Sequence, residues 1–417
     1  MTKRLFLATA VLCVFVGCAG LDHGPGAQPT LLVGAASAPV NPPDGTYLAG
    51  YDQDRKSTGV HDNLYAKAVV FSDETTAVAL VVVDCIGLQY DTVNEIRAAA
   101  SEKVTTVSLP PERIVVQSTH THCGPDVIGI WGPDEVHTGR HKAYLARLVE
   151  TAAEQVARAA ANLRPAHVAY AQTECTGWAV NDSEPDIVDH SVTVLQCTAP
   201  SGESVVTLTN FACHPTVLDG DTTQVSADWV GYFYESMAAL PGEHLFLQGA
   251  VGAWIQPVTP ERTFALAEQY GTDLADKVLA ALDRTEPLED TALRFAHRPF
   301  AMPIDNDLFR MMGALGLVPR DFTEAVQTEV AWFAVGPAQF ATHPGETAPA
   351  FAAETRALMD TQPKFILGLG LDELGYICPT YYFERTGEIP HADYLISMSP
   401  SPQAGPAMMA VLAEIIP

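Results

Sequence analysis

From about residue 31 onward the chain alternates two apolar patterns. Residues 66–71 and 77–83 are rich in Val and Ala and read as buried strands. Residues 113–118, 166–172, 192–197, 205–211 and 365–369 read as further short strands, and 331–340 as a strand with Gly and Pro inside it. Between them come segments of helical period. Residues 91–103 form one; residues 140–163 form the clearest, with Leu145, Leu148, Val149, Ala152, Val156 and Ala160 on one face; residues 261–284 form another. This alternation predicts an α/β fold. No internal repeat and no Ser/Gly linker divides residues 31–417, which therefore read as one domain. The stretch 298–320, with Pro299, Pro303 and Pro319, reads as irregular, either a surface excursion or a lid.

The first residues follow a different rule. Lys3 and Arg4 precede an apolar run from Leu5 to Val16, too short and too early for a membrane-spanning helix. The run ends Phe15-Val16-Gly17-Cys18, which resembles a bacterial lipobox with Cys18 as the lipidated residue; an ordinary cleaved signal peptide is the alternative. Residues 1–18 are thus expected to direct export and residues 19–30 to act as a tether. The location implied is the cell envelope, facing the periplasm or on the cell surface, with membrane attachment through Cys18. Of the eight cysteines, six lie beyond the signal and none forms a CxxC pair, which argues against a structural cysteine–zinc site. Cys175 and Cys197 are the expected pair if a disulfide forms. The net charge of −27 repels phosphate backbones and makes nucleic acid an improbable partner.

Four short segments carry candidate chemistry. Ser118-Thr119-His120-Thr121-His122-Cys123-Gly124-Pro125 follows the apolar run 114–116 and places two histidines at i and i+2. On a strand end these point to one side, where imidazoles suit a zinc ion or hydrogen-bond as a pair. Asn210-Phe211-Ala212-Cys213-His214-Pro215-Thr216 delivers another strand-end histidine, with Ser226-Ala227-Asp228-Trp229 after it. Thr342-His343-Pro344-Gly345-Glu346-Thr347 offers a carboxylate that could complete a metal site or simply favour a helix N-terminus. Leu374-Gly375-Tyr376-Ile377-Cys378-Pro379 follows the glycine-rich strand end at 365–371.

Taken in order, these segments resemble the catalytic domain of the neutral/alkaline, non-lysosomal ceramidases. Gly59-Val60-His61-Asp62-Asn63-Leu64-Tyr65-Ala66-Lys67-Ala68 is similar to that family's GIHDPLYARA-type segment, and Val82-Val83-Asp84 to its next strand with a terminal aspartate. The resemblance runs from about residue 31 to 400. It implies mixed β-sheets covered by helices and a Zn2+ ion held by His120, His214, Glu346 and Tyr376. It implies that His122 lies beside the metal to polarise or protonate the reacting carbonyl. Asp84 and Asp228 would orient ligands or act as general base. The implied reaction is metal-assisted hydrolysis of an N-acyl amide bond in a small-molecule or lipid substrate, in sphingolipid metabolism for the family as a whole.

The chain also departs from that pattern. Where the family carries a GD-x-S-P-like loop, this sequence reads Gln248-Gly249-Ala250-Val251-Gly252-Ala253-Trp254-Ile255-Gln256-Pro257, with Ala253 in place of the acid and no serine. Val180-Asn181-Asp182 lacks the family's arginine, and Cys123 stands where serine is usual. The sequence ends at Pro417, without residues for the C-terminal β-sandwich of full-length ceramidases. The ligand set persists while groups tied to recognition do not. This points to a ceramidase-like hydrolase of another N-acyl lipid, a small amide or an ester. The alternative is a non-catalytic lipoprotein that keeps the fold to bind lipid or metal; a phosphoesterase is disfavoured by the shortage of basic residues near the motifs.

Overall fold

The computed structural model describes residues 31–73 and 75–417. The export signal, the tether and Cys18 lie outside the described residues. The Val- and Ala-rich runs become strands with both faces covered, and each pairs first with its neighbour in sequence. Leu32–Pro39 (β1), Tyr65–Ser72 (β2) and Ala77–Val83 (β3) form antiparallel neighbours. The chain then crosses through helix Tyr90–Lys103 (α1) and returns as Ile114–Ser118 (β4), parallel to β3. Helix Lys142–Ala161 (α2) packs across β1 and β2 with the apolar stripe its period foretells; of that stripe, Val149 is only half-buried.

The next two sheets repeat this plan. His167–Glu174 (β5), Ser191–Thr198 (β6) and Ser204–Phe211 (β7) are antiparallel, and after helix Trp229–Met237 (α3) strand Glu243–Gln248 (β8) lies parallel to β7. Helix Phe264–Leu282 (α4) packs on α3, its N-terminus capped by Thr263. In the third sheet Leu293–Pro303 (β9), Ala325–Val335 (β10) and Ala338–Thr342 (β11) are antiparallel. Lys364–Leu367 (β12) pairs parallel with β11 after helix Pro349–Leu358 (α6). Helix Asp307–Ala314 (α5) sits between β9 and β10, and Ala404–Ile415 (α7) packs against both.

Each sheet thus contributes one parallel pair, β3/β4, β7/β8 and β11/β12, and the three pairs are stitched together where their strands end. Buried Gln117 donates to the carbonyls of Gln248 (2.6 Å) and Gly368 (2.9 Å). Buried Gln248 donates to those of Thr119 (3.0 Å) and Cys213 (2.9 Å). Asn210 donates to Leu247 (2.8 Å) and Ile366 (3.0 Å) and accepts the Ile366 N–H. A buried primary amide without partners would be costly, so these residues fix how the three sheets meet. The loops beyond that junction carry the motifs.

Three expectations need correction. The stretch 298–320 is not irregular at its start: Pro299 and Pro303 lie in β9, at the edge of its sheet, where a missing N–H costs no ladder bond. Residues 331–340 are not one strand but two, turned by Gly336 and Pro337; Gly336 has φ +56 and a Cβ there would lie 1.8 Å from the Asp290 carbonyl oxygen. Cys175 and Cys197 are buried free thiols, as are the other four described cysteines, so the expected disulfide is absent among the described residues. Among the described residues no helix is long and apolar enough to cross a membrane.

Candidate metal centre and active site

Each parallel pair ends by delivering side chains to one place. β4 stops at Ser118, so His120 and His122 do not share a strand face as the i, i+2 spacing suggests. They converge because the chain turns sharply after the strand. His120 holds φ +75, a conformation rare outside glycine, and its N–H bonds to the Cys85 carbonyl. β7 delivers His214, whose N–H bonds to the Ile255 carbonyl. The loop after β11 delivers Glu346, and the segment after β12 delivers Tyr376, which pairs with Glu346 in a short parallel bridge.

The histidine nitrogens decide what the cluster can hold. Nδ1 of His120 faces the Ile86 carbonyl, Nδ1 of His214 that of Ile255 (2.8 Å), and Nδ1 of His122 that of Gly50 (3.2 Å). A carbonyl only accepts, so each Nδ1 carries the proton, and each neutral ring turns a bare Nε2 lone pair inward. Nε2 of His214 and of His120 lie 3.0 and 3.3 Å from Glu346 Oε2, and Nε2 of His122 lies 3.3 Å from that of His120. The ligand atoms of the three histidines all fall within 4.8 Å of one another. Acceptors converging on acceptors in a buried site suit a cation between them. Three imidazoles and a carboxylate, with Nδ1 of each ring anchored to a carbonyl, fit zinc chemistry.

Burial disfavours charge on His120, but Glu346 outweighs it and raises its pKa, so a positive charge, proton or metal ion, is favoured between the two. Burial, then His120 and His214, depress His122 well below its ordinary value. Burial alone would raise Glu346, yet His120 and His214 hold it below the usual carboxylate range. Tyr376 is pushed well above the ordinary phenol value by burial and then by Glu346, and its oxygen accepts the Trp254 indole N–H at 2.9 Å. Tyr376 lines the same cavity as His120, His122 and Glu346.

Asp84 and Asp228 are brought near but not in. The Asp84 carboxylate accepts Thr119 Oγ1 (3.0 Å) and the Tyr65 N–H (2.8 Å), bracing the residue before His120. Burial raises its pKa to about 6. Asp228 caps α3 and accepts the N–H groups of Val217 (3.2 Å), Leu218 (2.8 Å) and Trp229 (2.7 Å), holding the loop after His214; burial raises it to about 7. The bonds of both carboxylates go to the backbone N–H and hydroxyl groups of the loops that carry His120 and His214, which suits positioning. His343, inside the third motif, is also apart: both ring nitrogens are taken by Thr347 and Thr355 hydroxyls.

Arg55 and Gly50 gave no signal in the sequence, and the altered loop at Ala253 gave none for the role of Trp254. Arg55 donates to the carbonyls of Ala49 and His122. Gly50, at φ +97, lets the His122 ring pack where a Cβ would lie 2.5 Å from it. Ala253 and Trp254 are consecutive left-handed residues (φ +63 and +56) that aim the Trp254 indole at Tyr376.

A cavity opens beside the cluster, walled by Ile128, Ile130, Phe309, Met312, Val318 and Phe322. The stretch expected to be a lid or a surface excursion therefore supplies much of this wall, through α5 and the residues after it. A second, more open cleft on the other side of His122 and Tyr376 is lined by Asp182, Thr216, Gln256 and Arg262.

The family described as neutral/alkaline non-lysosomal ceramidase, N-terminal, matches residues 32–251. Neutral ceramidase of Mycobacterium tuberculosis is 28% identical over 207 residues, which is 44% of this chain and 32% of that protein; the chain thus matches about a third of that relative's length. The crystal structure of neutral ceramidase from Pseudomonas aeruginosa superposes with a TM-score of 0.77 at 16% identity, covering 94% of this chain and 74% of the other. A ceramidase structure complexed with C2 gives 0.77 at 15% identity, covering 93% and 75%. At such identities the structural likeness is one of fold, and that fold is the mixed α/β architecture expected from the motifs. With more than half its length matched by the family and its four motifs gathered at the strand ends, the chain belongs to the neutral/alkaline non-lysosomal ceramidase family.

Proposed function

We propose that this protein is a zinc-dependent hydrolase of N-acyl amide bonds, of ceramidase type but with a substrate that departs from ceramide. The observation that carries the reading is the convergence of the His120 and His214 Nε2 atoms on the Glu346 carboxylate, with His122 Nε2 against that of His120, beside an apolar cavity. His120, His214 and Glu346, with Tyr376, would hold the ion. What zinc supplies when bound is Lewis acidity, which acidifies water and offsets charge growing on the amide oxygen.

The chain's own groups do the rest. His122, kept neutral by burial and by the neighbouring rings, offers Nε2 as a proton acceptor while Gly50 fixes its Nδ1. It takes a proton from the attacking water and returns it to the leaving nitrogen. Trp254 steadies the Tyr376 hydroxyl. The apolar part of the substrate enters the cavity and its polar part lies in the open cleft, so the scissile bond sits beside His122, Tyr376, Gly50 and Tyr394, which line both. The altered loop at Ala253 and the missing arginine near Asp182 change groups on the cleft side, which supports a polar moiety other than that of ceramide. Export and anchoring through Cys18 remain part of this proposal.

The test is zinc content together with amide turnover. Wild type should hold one zinc per chain and cleave medium-chain N-acyl amides in a chelator-sensitive way. His120→Ala or His214→Ala should lose both metal and activity. His122→Ala should keep the metal and slow turnover by about two to four powers of ten. If His122→Ala loses zinc as readily as His120→Ala, His122 is itself a ligand and the division of roles fails. Zinc without any amide turnover would favour a binding lipoprotein.

A further inference from the structure

The cavity beside the histidines contains two buried acceptors that nothing among the described residues satisfies. Glu373 is 6% exposed; its Oε1 accepts the Gly375 N–H at 2.8 Å, and its Oε2 has no partner. Gln89 is 3% exposed, and its Oε1 is likewise without a partner. Both residues line the cavity. They reach it from different loops, Gln89 just before α1 and Glu373 between β12 and Tyr376.

The two loops are locked together. The Tyr90 N–H donates to Asp372 Oδ1 at 2.9 Å. Gly87 makes room for Glu373: a Cβ there would lie 2.5 Å from the Glu373 Cγ. So the pair is held in place by the fold and is not a result of loose packing.

Neighbouring buried carboxylates are fully provided for. Asp372, one residue earlier, receives Arg320 (2.6 Å), Thr328 (2.7 Å) and the Tyr90 and Glu373 N–H groups. Glu329 receives Arg97 on both oxygens and Tyr90 on one. Against that background a half-satisfied carboxyl group facing a cavity points to a donor brought by a ligand. Trp131, Tyr376 and Tyr394 also line the cavity, yet none of them reaches either free oxygen, and the rest of the wall is apolar.

We propose that Glu373 and Gln89 form a polar anchor inside the cavity, and that the preferred substrate carries a hydrogen-bond donor, a hydroxyl or an ammonium, on the part of the molecule buried there. The proposal rests on the amide-hydrolase reading for the reaction but not for the binding. The unpartnered oxygens of Glu373 and Gln89 can each accept from a hydroxyl, and an ammonium would pair with Glu373 as a carboxylate.

The experiment measures binding by titration calorimetry and turnover by product assay on zinc-loaded protein. The probes are three medium-chain N-acyl amides: one with a plain chain, one with a chain hydroxyl and one with a chain ammonium, the substituent moved along the chain in a series. Wild type should bind at least one donor-bearing probe about 10- to 100-fold more tightly than the plain one. Glu373→Leu combined with Gln89→Leu should erase that preference and bind the plain chain at least as well. The conservative Glu373→Gln should keep a hydroxyl preference and lose an ammonium preference, which tells the two donors apart. Equal binding of all probes by wild type, no binding of any, or a preference that survives in the double variant would overturn the anchor. Selective binding without cleavage would sink the hydrolase reading and leave the anchor standing. Cleavage of every probe without discrimination would do the reverse.

Discussion

At the scale of single residues, the site depends on where side chains are absent as much as on where they are present. Gly50 supplies the carbonyl that orients His122, and it holds φ +97 beside the ring. Gly50→Ala would put a methyl group 2.5 Å from the imidazole and strain the backbone at once. His120 and His214 are untouched by this, so zinc content should stay near wild type. Turnover should fall about 100-fold or more, because the proton-transfer group is displaced. Parallel loss of zinc would mean that Gly50 shapes the whole cluster. Much of this chemistry was legible. Histidine beside a strand end and a carboxylate or tyrosine after a turn are local patterns, and His120, His214, Glu346 and Tyr376 do gather around one site. Asp84 and Asp228 were legible as members of that neighbourhood but not in their bonding, because what a carboxylate accepts depends on backbone N–H groups that only the folded loops supply. Glu373 and Gln89 gave no signal at all. Each is an ordinary polar residue beside a turn until two distant loops close over it.

At the scale of elements, the Val- and Ala-rich runs were the surest reading, and β2, β3, β6 and β7 fall within a residue of the expected bounds. The prolines misled, because proline is excluded from central strands but tolerated at an edge, and edge position is a tertiary fact. Contacts between elements were equally hidden. Arg356, in the last turn of α6, pairs with Asp189 just before β6 at 2.5 Å, tying the helix over the third sheet to the second sheet. Burial alone would raise the Asp189 pKa, but Arg356 and the Ser191 hydrogen bonds hold it below its ordinary value. A depressed carboxylate contributes stability that is present above its unfolded pKa and lost as the pH falls through the folded one. Arg356→Ala should therefore cost about 1 kcal/mol near neutral pH, a modest figure for a partly exposed pair. The gap to wild type should narrow as the pH drops below about 4. Urea midpoints across that range are the measurement, and a gap that does not change with pH would assign the loss to helix packing instead of the ion pair.

At the scale of the whole molecule, the three sheets share one plan that no sequence repeat announces. Each folds as an antiparallel set with one parallel strand returning through a helix, and each sends its parallel pair to the same junction. His120 comes from the first, His214 from the second, Glu346 from the third. A cation bound there would therefore act as a common ligand of all three sheets, beside the amide stitches of Gln117, Gln248 and Asn210. Binding that favours only the native state stabilises it by mass action, by about 4 kcal/mol when free metal is a thousandfold above its dissociation constant. Removing zinc with a chelator should lower the melting temperature of the whole chain in one transition, and zinc should restore it. Hydrogen exchange gives the sharper reading. Amides of residues 119–123, 211–216 and 343–347 should lose protection together, because each loop would lose the same partner. Loss confined to residues 119–123 would mean that the His120–His122 turn holds the ion by itself, and that the convergence of the three sheets serves packing and not the metal.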